Sequence, residues 1–269
     1  MVRKSLFDLV TLSGVRRDLL FYLDEGPKSL SDIKEYLNTT SPEVSPRLKE
    51  LIERNLILFE GKKYHLTPMG KTIITNFRPF FETVSVFEQE SDFWNEHDIT
   101  SIPNELLLRI GEIRNYMLIE DDINDINRTN TEVANLFSNS SNIFGVSCVF
   151  ESNYPQICLN AARTNVPISI VLSKNIFNYV LDAYKDEIKE FIKSPNAEFY
   201  VLDENIKISH VVTDNCMLLT MFYKNNKFDA HTNLVSYDKS SINWGKDLFN
   251  YYKLKATKIN EMITHSKKF

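Results

Sequence analysis

The chain has 269 residues, more than one typical domain needs, so two domains are the starting expectation. Its 43% hydrophobic content is that of a globular protein; no apolar run reaches the roughly 18 residues a membrane span needs, and no signal-peptide core follows Arg3 and Lys4. The net charge of −5 speaks against nucleic acid for the whole chain, yet residues 1–80 hold 13 basic and 10 acidic side chains, so a mildly basic head precedes an acidic body.

Residues 16–23 (RRDLLFYL) read as a helix ended by Glu25-Gly26-Pro27, with Leu19, Leu20 and Leu23 on its core side. A second helix starts at a Ser29 or Ser31 cap and runs to Leu37, with Ile33, Tyr36 and Leu37 at helical spacing and Asp32 in the first turn. After the polar turn Asn38-Thr39-Thr40 comes SPEVSPRLKELIERNL, whose buried stripe is Val44, Leu48, Leu51 and Ile52. Ser41 is the expected N-cap, with Pro42 at the first helical position. Pro46 predicts a slight bend, or a start nearer Glu43. Residues 57–59 and 64–66 form short strands around Glu60-Gly61-Lys62-Lys63, where Gly61 can supply a positive φ. Helix, turn, helix and basic hairpin together are the layout of a winged helix-turn-helix, an α+β domain that holds duplex DNA or, in the alternative reading, another protein.

In the DNA reading the early outward positions of the 41–54 helix meet base edges and phosphates: Thr40, Ser41, Glu43, Ser45, Arg47 and Lys49. Arg47 suits guanine or phosphate, and the hydroxyls serve either role. Glu43 is matched to a cytosine amino group or stays a solvated charge at the positive helix end. Arg54, at the far end, caps carbonyls or touches backbone phosphate. Lys62, Lys63 and Tyr64 are the contacts expected of the wing, and Arg16 and Arg17 are candidate phosphate clamps.

Thr67-Pro68-Met69-Gly70-Lys71 opens a helix expected to run through Phe77 and to break or bend at Pro79. The aromatic stretch that follows, with Phe80, Phe81, Phe87, Phe93 and Trp94, reads as an interdomain hinge that either joins a dimer contact or packs onto the body. The expected domains are residues 1–76, a linker at 77–112 that includes the helix ELLLRIGEI, and 113–269.

The body alternates strands (115–119, 143–150, 166–172, 198–202, 208–213, 216–223, 228–233) with helices (within 121–137, 154–163, 176–192, 240–263). Apolar β-branched runs separated by helical patterns predict an α/β layered domain, partly parallel, with antiparallel strands near its end. Its chemistry is thin. Glycine numbers only 7, no phosphate loop, HExxH or GxSxG is present, and no Cys/His spacing suits a metal, so no cofactor is expected. Cys148, Cys158 and Cys216 form no CxxC pair and read as buried thiols of a reducing compartment. His210 reads as structural, while Arg163 either grips an acidic effector or caps its helix. His231, Asn233 and Asp238 have the spacing HxNxxxxD, close to the HxKxxxxD of phospholipase-D-type phosphodiesterases. Asparagine cannot supply the cation that offsets developing phosphoryl charge, and the motif occurs once, so it reads as a relic of a fold.

On LSDIKEYLNTTSPEVSPRLKELIERNLI, GKKYHLTPMGK, NIFGVSCVFESNYPQICLNAARTNVPISIVLS and SSINWGKDLFNYYK, the chain resembles a family of archaeal, methanogen transcriptional regulators. These join an arsenic-repressor-like winged helix to a C-terminal domain named after a methanogenesis regulatory protein. The resemblance implies a cytoplasmic, operator-specific, dimeric DNA-binding protein whose C-terminal effector domain is related to the phospholipase-D-like fold. The expectation is therefore a non-enzymatic transcription regulator whose partners are double-stranded DNA, a second copy of itself and an unidentified small-molecule effector, with no membrane. A protein-interaction adaptor and a phosphodiesterase are the rival readings.

Overall fold

The computed structural model describes residues 5–120, 140–150, 154–204 and 206–259. The helix expected within 121–137 lies outside the described residues. The chain divides into two compact units, Met1–Glu82 and Thr83–Phe269.

The first unit opens with α1 (Leu6–Thr11), α2 (Gly14–Asp24), α3 (Leu30–Tyr36) and α4 (Ser41–Glu53). Ser5, Ser13 and Ser29 cap the first three, each hydroxyl accepting an N–H of its own helix's first turn. Leu19, Leu20 and Leu23 meet Ile33, Val44, Leu48, Leu51, Leu56, Ile57 and Ile74 in one core. Two residues expected inside are exposed: Ile52, and Tyr36, which stacks on Tyr22 at 3.9 Å. β1 (Ile57–Glu60) and β2 (Lys63–Leu66) form a hairpin in which Glu60 pairs with Lys63. The two turn residues, Gly61 and Lys62, have φ of 56° and 63°, the left-handed pair that a type I′ turn requires. Lys28 adds a single antiparallel bridge to the two-stranded hairpin through paired backbone hydrogen bonds with Tyr64.

The hairpin feeds α5 (Pro68–Gln89) at a junction that admits only glycine. A Cβ on Gly70 would sit 2.0 Å from the Leu56 carbonyl oxygen. Thr67 secures the junction, donating its hydroxyl to the Asn55 carbonyl at 2.6 Å and accepting the Gly70 N–H at 3.0 Å. Contrary to the expected break, α5 continues through Pro79. The side chains around the proline are held from α2: Phe21 packs on Phe77 and Phe81, and Arg78 lies 4.4 Å over the Phe21 ring. Packing on both sides outweighs the single lost helical bond.

The second unit centres on an eight-stranded sheet: β3 (Tyr116–Glu120), β4 (Ile143–Ser147), β5 (Ile168–Ser173), β6 (Ala197–Leu202), β7 (Ile208–Thr213), β8 (Met217–Met221), β9 (Thr232–Ser236) and β10 (Thr257–Lys258). The strand order is β10-β6-β5-β4-β7-β8-β9-β3; β4, β5 and β6 are mutually parallel and the other pairings antiparallel. The architecture is thus a mixed α and β one. α8 (Tyr154–Arg163), α9 (Lys174–Ala183) and α10 (Lys185–Lys193) cover one face, where Leu159, Phe177 and Phe191 pack with Ile168, Phe199 and Val201. The other face is covered by α11 (Lys239–Lys255) and by the segment containing α6 (Ser91–Glu96) and α7 (Asn104–Leu107). Val86, Phe93 and Trp94 of the aromatic stretch lie in this second core, which is the packing alternative for that segment. Trp94 donates its indole N–H to the Tyr116 hydroxyl, which donates to the Val86 carbonyl at 2.6 Å.

Several body elements differ from expectation. The strand expected over 143–150 ends at Ser147, and the helix expected over 176–192 breaks at Tyr184, whose backbone (φ −132°, ψ 43°) is not helical. The strand expected at 228–233 is displaced to Thr232–Ser236, because Asp229 accepts the N–H groups of His231 and Thr232 in a turn. The closing helix ends at Lys255, and β10 then pairs with β6.

His210 is fully buried, each ring nitrogen 2.9 Å from a carbonyl oxygen, of Leu218 and of Gly245. Burial disfavours the charged ring more than the two carbonyls favour it, and its pKa falls to about 4. The unfolded chain, with an ordinary histidine, binds this proton first. The stability tied to neutral His210 is therefore complete above about pH 6.5 and lost as pH falls toward 4, by about 3 kcal/mol over the window. Both tryptophans, Trp94 and Trp244, lie in this unit, so their fluorescence reports its urea unfolding alone. The urea midpoint should drop between pH 6.5 and 4, and His210→Gln should remove that part of the dependence; an unchanged profile in the variant would rule the account out.

Candidate nucleic-acid interface

α4 presents its early positions as expected, but its start differs in detail. Thr40, not Ser41, is the N-cap, so Ser41 and Pro42 occupy the first two helical positions. Glu43 folds back over this end, accepting the Thr40 N–H and the hydroxyls of Thr39 and Thr40, each at 2.9 Å. Those bonds, from Thr40 first, hold its carboxyl below the usual glutamate range. Glu43 thereby caps α4 through one carboxylate oxygen, Oε2, a role the sequence reading did not assign to it. The helix also runs through Pro46 without a break.

With Val44, Leu48 and Leu51 buried, the opposite side is fixed by geometry. Ser41, Ser45 and Lys49 recur every four residues and form one stripe, with Ser45 and Lys49 exposed and Ser41 half-buried. Lys49 makes only a long 3.9 Å pair with Glu53. The Arg47 guanidinium donates back to the Glu43 carbonyl one turn earlier.

The wing carries Lys62 at the turn and Lys63 beside it, both exposed and without an ion pair among the described residues. Tyr64 is half-buried, its backbone pairing with Lys28 and its ring packing at 4.7 Å on Phe59. Phe59, 55% exposed, is a wing feature not expected from the sequence. Strand alternation puts it on the side of buried Ile57, but it lies toward the hairpin tip, away from the head core. Lys28 was likewise not expected. It stands 4.1 Å over the Tyr22 ring, and its signal, a basic residue beside a helix cap, is shared by many solvated lysines.

The two expected phosphate clamps are otherwise engaged. Arg16 is buried, donating to the Leu9 carbonyl and to Glu50 at 2.7 Å, and so ties α1 and α4 to α2. Arg17 pairs with Asp18 at 2.9 Å and lies 4.0 Å over the Phe81 ring.

In the body, Arg163 forms a bidentate pair with Glu190, in place of either expected role. Asn233 accepts a hydrogen bond from Thr220, and Asp238 caps α11 by accepting the Ser240 N–H. Two of the three HxNxxxxD positions thus serve the fold. Burial pushes the thiols of Cys148 and Cys158 up to about 12 and raises that of Cys216, which makes them poor nucleophiles. Among the described residues no helix is long and apolar enough to cross a membrane, and no group of three or more acidic, histidine or cysteine side chains is placed to hold a metal.

By its element order and hairpin, the first unit is a winged helix-turn-helix module, followed in the chain by a mixed α/β unit. Residues 4–85 match the N-terminal domain, and residues 126–255 the middle domain, of the methanogenesis regulatory protein FilR1, and the chain belongs to that family. A curated relative, methanogenesis regulatory protein FilR1 of Methanothrix harundinacea (strain 6Ac), is 22% identical over 256 residues, covering 93% of this chain. The chain spans only 57% of that relative's length. Among solved structures, TrmBL2, described as an archaeal chromatin protein with a novel mode of DNA binding, aligns over 90% of this chain and 93% of its own at 16% identity and a TM-score of 0.43. A phosphatidylserine synthase of Haemophilus influenzae Rd KW20 aligns over 54% of this chain and 39% of its own, at 12% identity and a TM-score of 0.41.

Arg16→Ala should leave Glu50 without its partner and destabilise the head by about 1–3 kcal/mol. Hydrogen exchange should accelerate in α2 and α4 while tryptophan-monitored unfolding of the second unit stays put. Unchanged exchange in α4 would show that the ion pair does not hold that helix.

Proposed function

We propose that the chain is a sequence-specific, double-stranded-DNA-binding transcriptional regulator of the cytoplasm that acts as a homodimer. Its first unit reads operator DNA, and its second unit senses an effector. The observation that carries this reading is the pairing of an unobstructed polar stripe on α4 with two exposed, ion-pair-free lysines on the wing. In a winged helix these are the positions that meet the major groove and the neighbouring backbone. Membership of a regulatory family supports it. On DNA the Arg47 guanidinium exchanges the Glu43 carbonyl for a base edge, where it can bond in a bidentate way, or for a phosphate, whose ionised oxygen makes the stronger bond. The single HxNxxxxD is consistent with a distant phospholipase-D-like ancestry of the second unit, without the lysine that such catalysis needs.

A second reading, a winged helix used as a protein adaptor, is favoured by one observation, the exposed Phe59 on the wing. The two readings differ in their salt dependence. On a generic duplex, Lys62→Ala and Lys63→Ala should each weaken binding of all sequences alike and flatten the plot of log affinity against log salt by about 0.9 for each phosphate no longer neutralised. On a selected site, Arg47→Ala should cost about 1–3 kcal/mol, and on a generic duplex much less. Fluorescence anisotropy measures both. A flat salt plot for the unaltered chain would favour the adaptor.

A further inference from the structure

The face of the sheet covered by α8, α9 and α10 is not filled to the backbone. It holds a cavity of about 110 Å3, walled by Ile157, Ile170, Val180, Ile188 and Val211 and floored by Gly145. Gly145 is the middle residue of β4, paired with Ile170 on one side and Val211 on the other. Nothing in the packing demands a glycine there: a Cβ would meet only the His210 carbonyl oxygen and Val211 Cγ2, both at 3.9 Å. Glycine weakens a central strand, and its presence there often marks close approach by a ligand or another backbone.

Two hydroxyls give the floor a polar end. Ser147 and Ser209 are buried on adjacent strands with their oxygens 3.5 Å apart. Ser147 donates to the Val149 carbonyl at 2.7 Å, whereas among the described residues Ser209 has only its long contact with Ser147. Glu187 is among the lining residues, with no ion pair or side-chain hydrogen bond among the described residues, and no lining residue is basic. Tyr184, at the helix break, contributes to the wall, its ring 5.4 Å from that of Phe150.

We propose that this cavity binds a small uncharged ligand: a single aromatic ring or short alkyl chain bearing one hydroxyl directed at Ser209. The pocket is partly open to solvent and, at about 110 Å3, smaller than the roughly 150 Å3 apolar cavity that takes up benzene. Its size and apolar lining therefore suit nothing larger than one small ring or a short alkyl chain, with any polar end toward the opening or the two serines. The hydroxyl pair supplies the few polar contacts that orient a ligand in an otherwise apolar site. Glu187 and the lack of a lining cation select against carboxylates. The proposal rests on the reading of the second unit as the sensing half of the regulator, but its test contains no DNA.

The probes are toluene, benzyl alcohol and benzoate, titrated against the full chain by saturation-transfer NMR with thermal unfolding alongside. Benzyl alcohol should bind saturably and more tightly than toluene, and benzoate roughly tenfold or more weakly than benzyl alcohol. Gly145→Val, which fills the floor, should weaken both neutral ligands by about tenfold or more while tryptophan fluorescence stays native. Gly145→Ala, whose methyl would stand in ordinary van der Waals contact, covers the case in which valine disrupts the strand, and should give a smaller loss of the same kind. Ser209→Ala should keep toluene binding and abolish the preference for benzyl alcohol. Absence of saturable binding to the unaltered chain, or binding untouched by both Gly145 variants, would overturn the proposal and leave the DNA-binding results of the head unaffected.

Discussion

The buried guanidinium of Arg16 is the contact on which the geometry of the head depends. It joins the Leu9 carbonyl of α1 to the Glu50 carboxylate of α4 from a position on α2. A charge this deep is tolerated because Nε meets the Leu9 carbonyl and one terminal nitrogen meets the Glu50 carboxylate, and removing either the arginine or Glu50 leaves the other uncompensated. Its effect is rotational as well as cohesive. With Glu50 held and Val44, Leu48 and Leu51 in the core, α4 has one orientation left, and Ser41, Ser45 and Lys49 are what remain outward. The Thr40–Glu43 cap then fixes where the helix starts. The face available to a groove is thus a by-product of how the core is closed.

The wing obeys a separate local logic. Gly61 and Lys62 take the left-handed conformations that let a two-residue turn follow the strand twist, and the turn leaves Lys62 and Lys63 exposed. Gly70 and Thr67 anchor the hairpin's return to α5 through the Leu56 and Asn55 carbonyls. In the second unit the sheet is covered on both faces, and its interior polar groups are local solutions to burial. His210 bridges β8 and α11, while His97 joins the Phe93 carbonyl to Asp229. The second of these dyads ties α6 to the turn before β9.

Most of the head was legible in the sequence because its signals are local: the Ser29 cap, leucines at helical spacing, and a glycine between two short apolar runs; α1 and its Ser5 cap were not read, and the cap expected at Ser41 lies at Thr40. What escaped was set by tertiary contacts. Arg16 and Arg17 look like any adjacent pair of basic residues, and nothing nearby in sequence tells that one reaches Glu50 and the other Phe81. Pro79 reads as a breaker because the rings that hold the helix on either side include Phe21, far away in sequence. Glu43 three residues after Thr40 is a capping-box spacing, so that role was present in the pattern but competed with the base-contact reading. In the body, the strands were placed to within a few residues wherever β-branched runs were bounded by polar turns. The break at Tyr184 was missed because the amphipathic pattern carries across it, and Asp229, which displaces β9, acts through backbone bonds that no periodicity records.

The central claim is that the outward stripe of α4 reads bases. The most direct test is selection from a random duplex pool by the full chain, beside a variant carrying Ser41→Ala, Ser45→Ala and Lys49→Ala. The account predicts that the unaltered chain enriches an inverted repeat and that the variant, still retaining duplex at low salt through its wing lysines, enriches none. Enrichment of the same repeat by both proteins, or of no repeat by the unaltered chain, would contradict it.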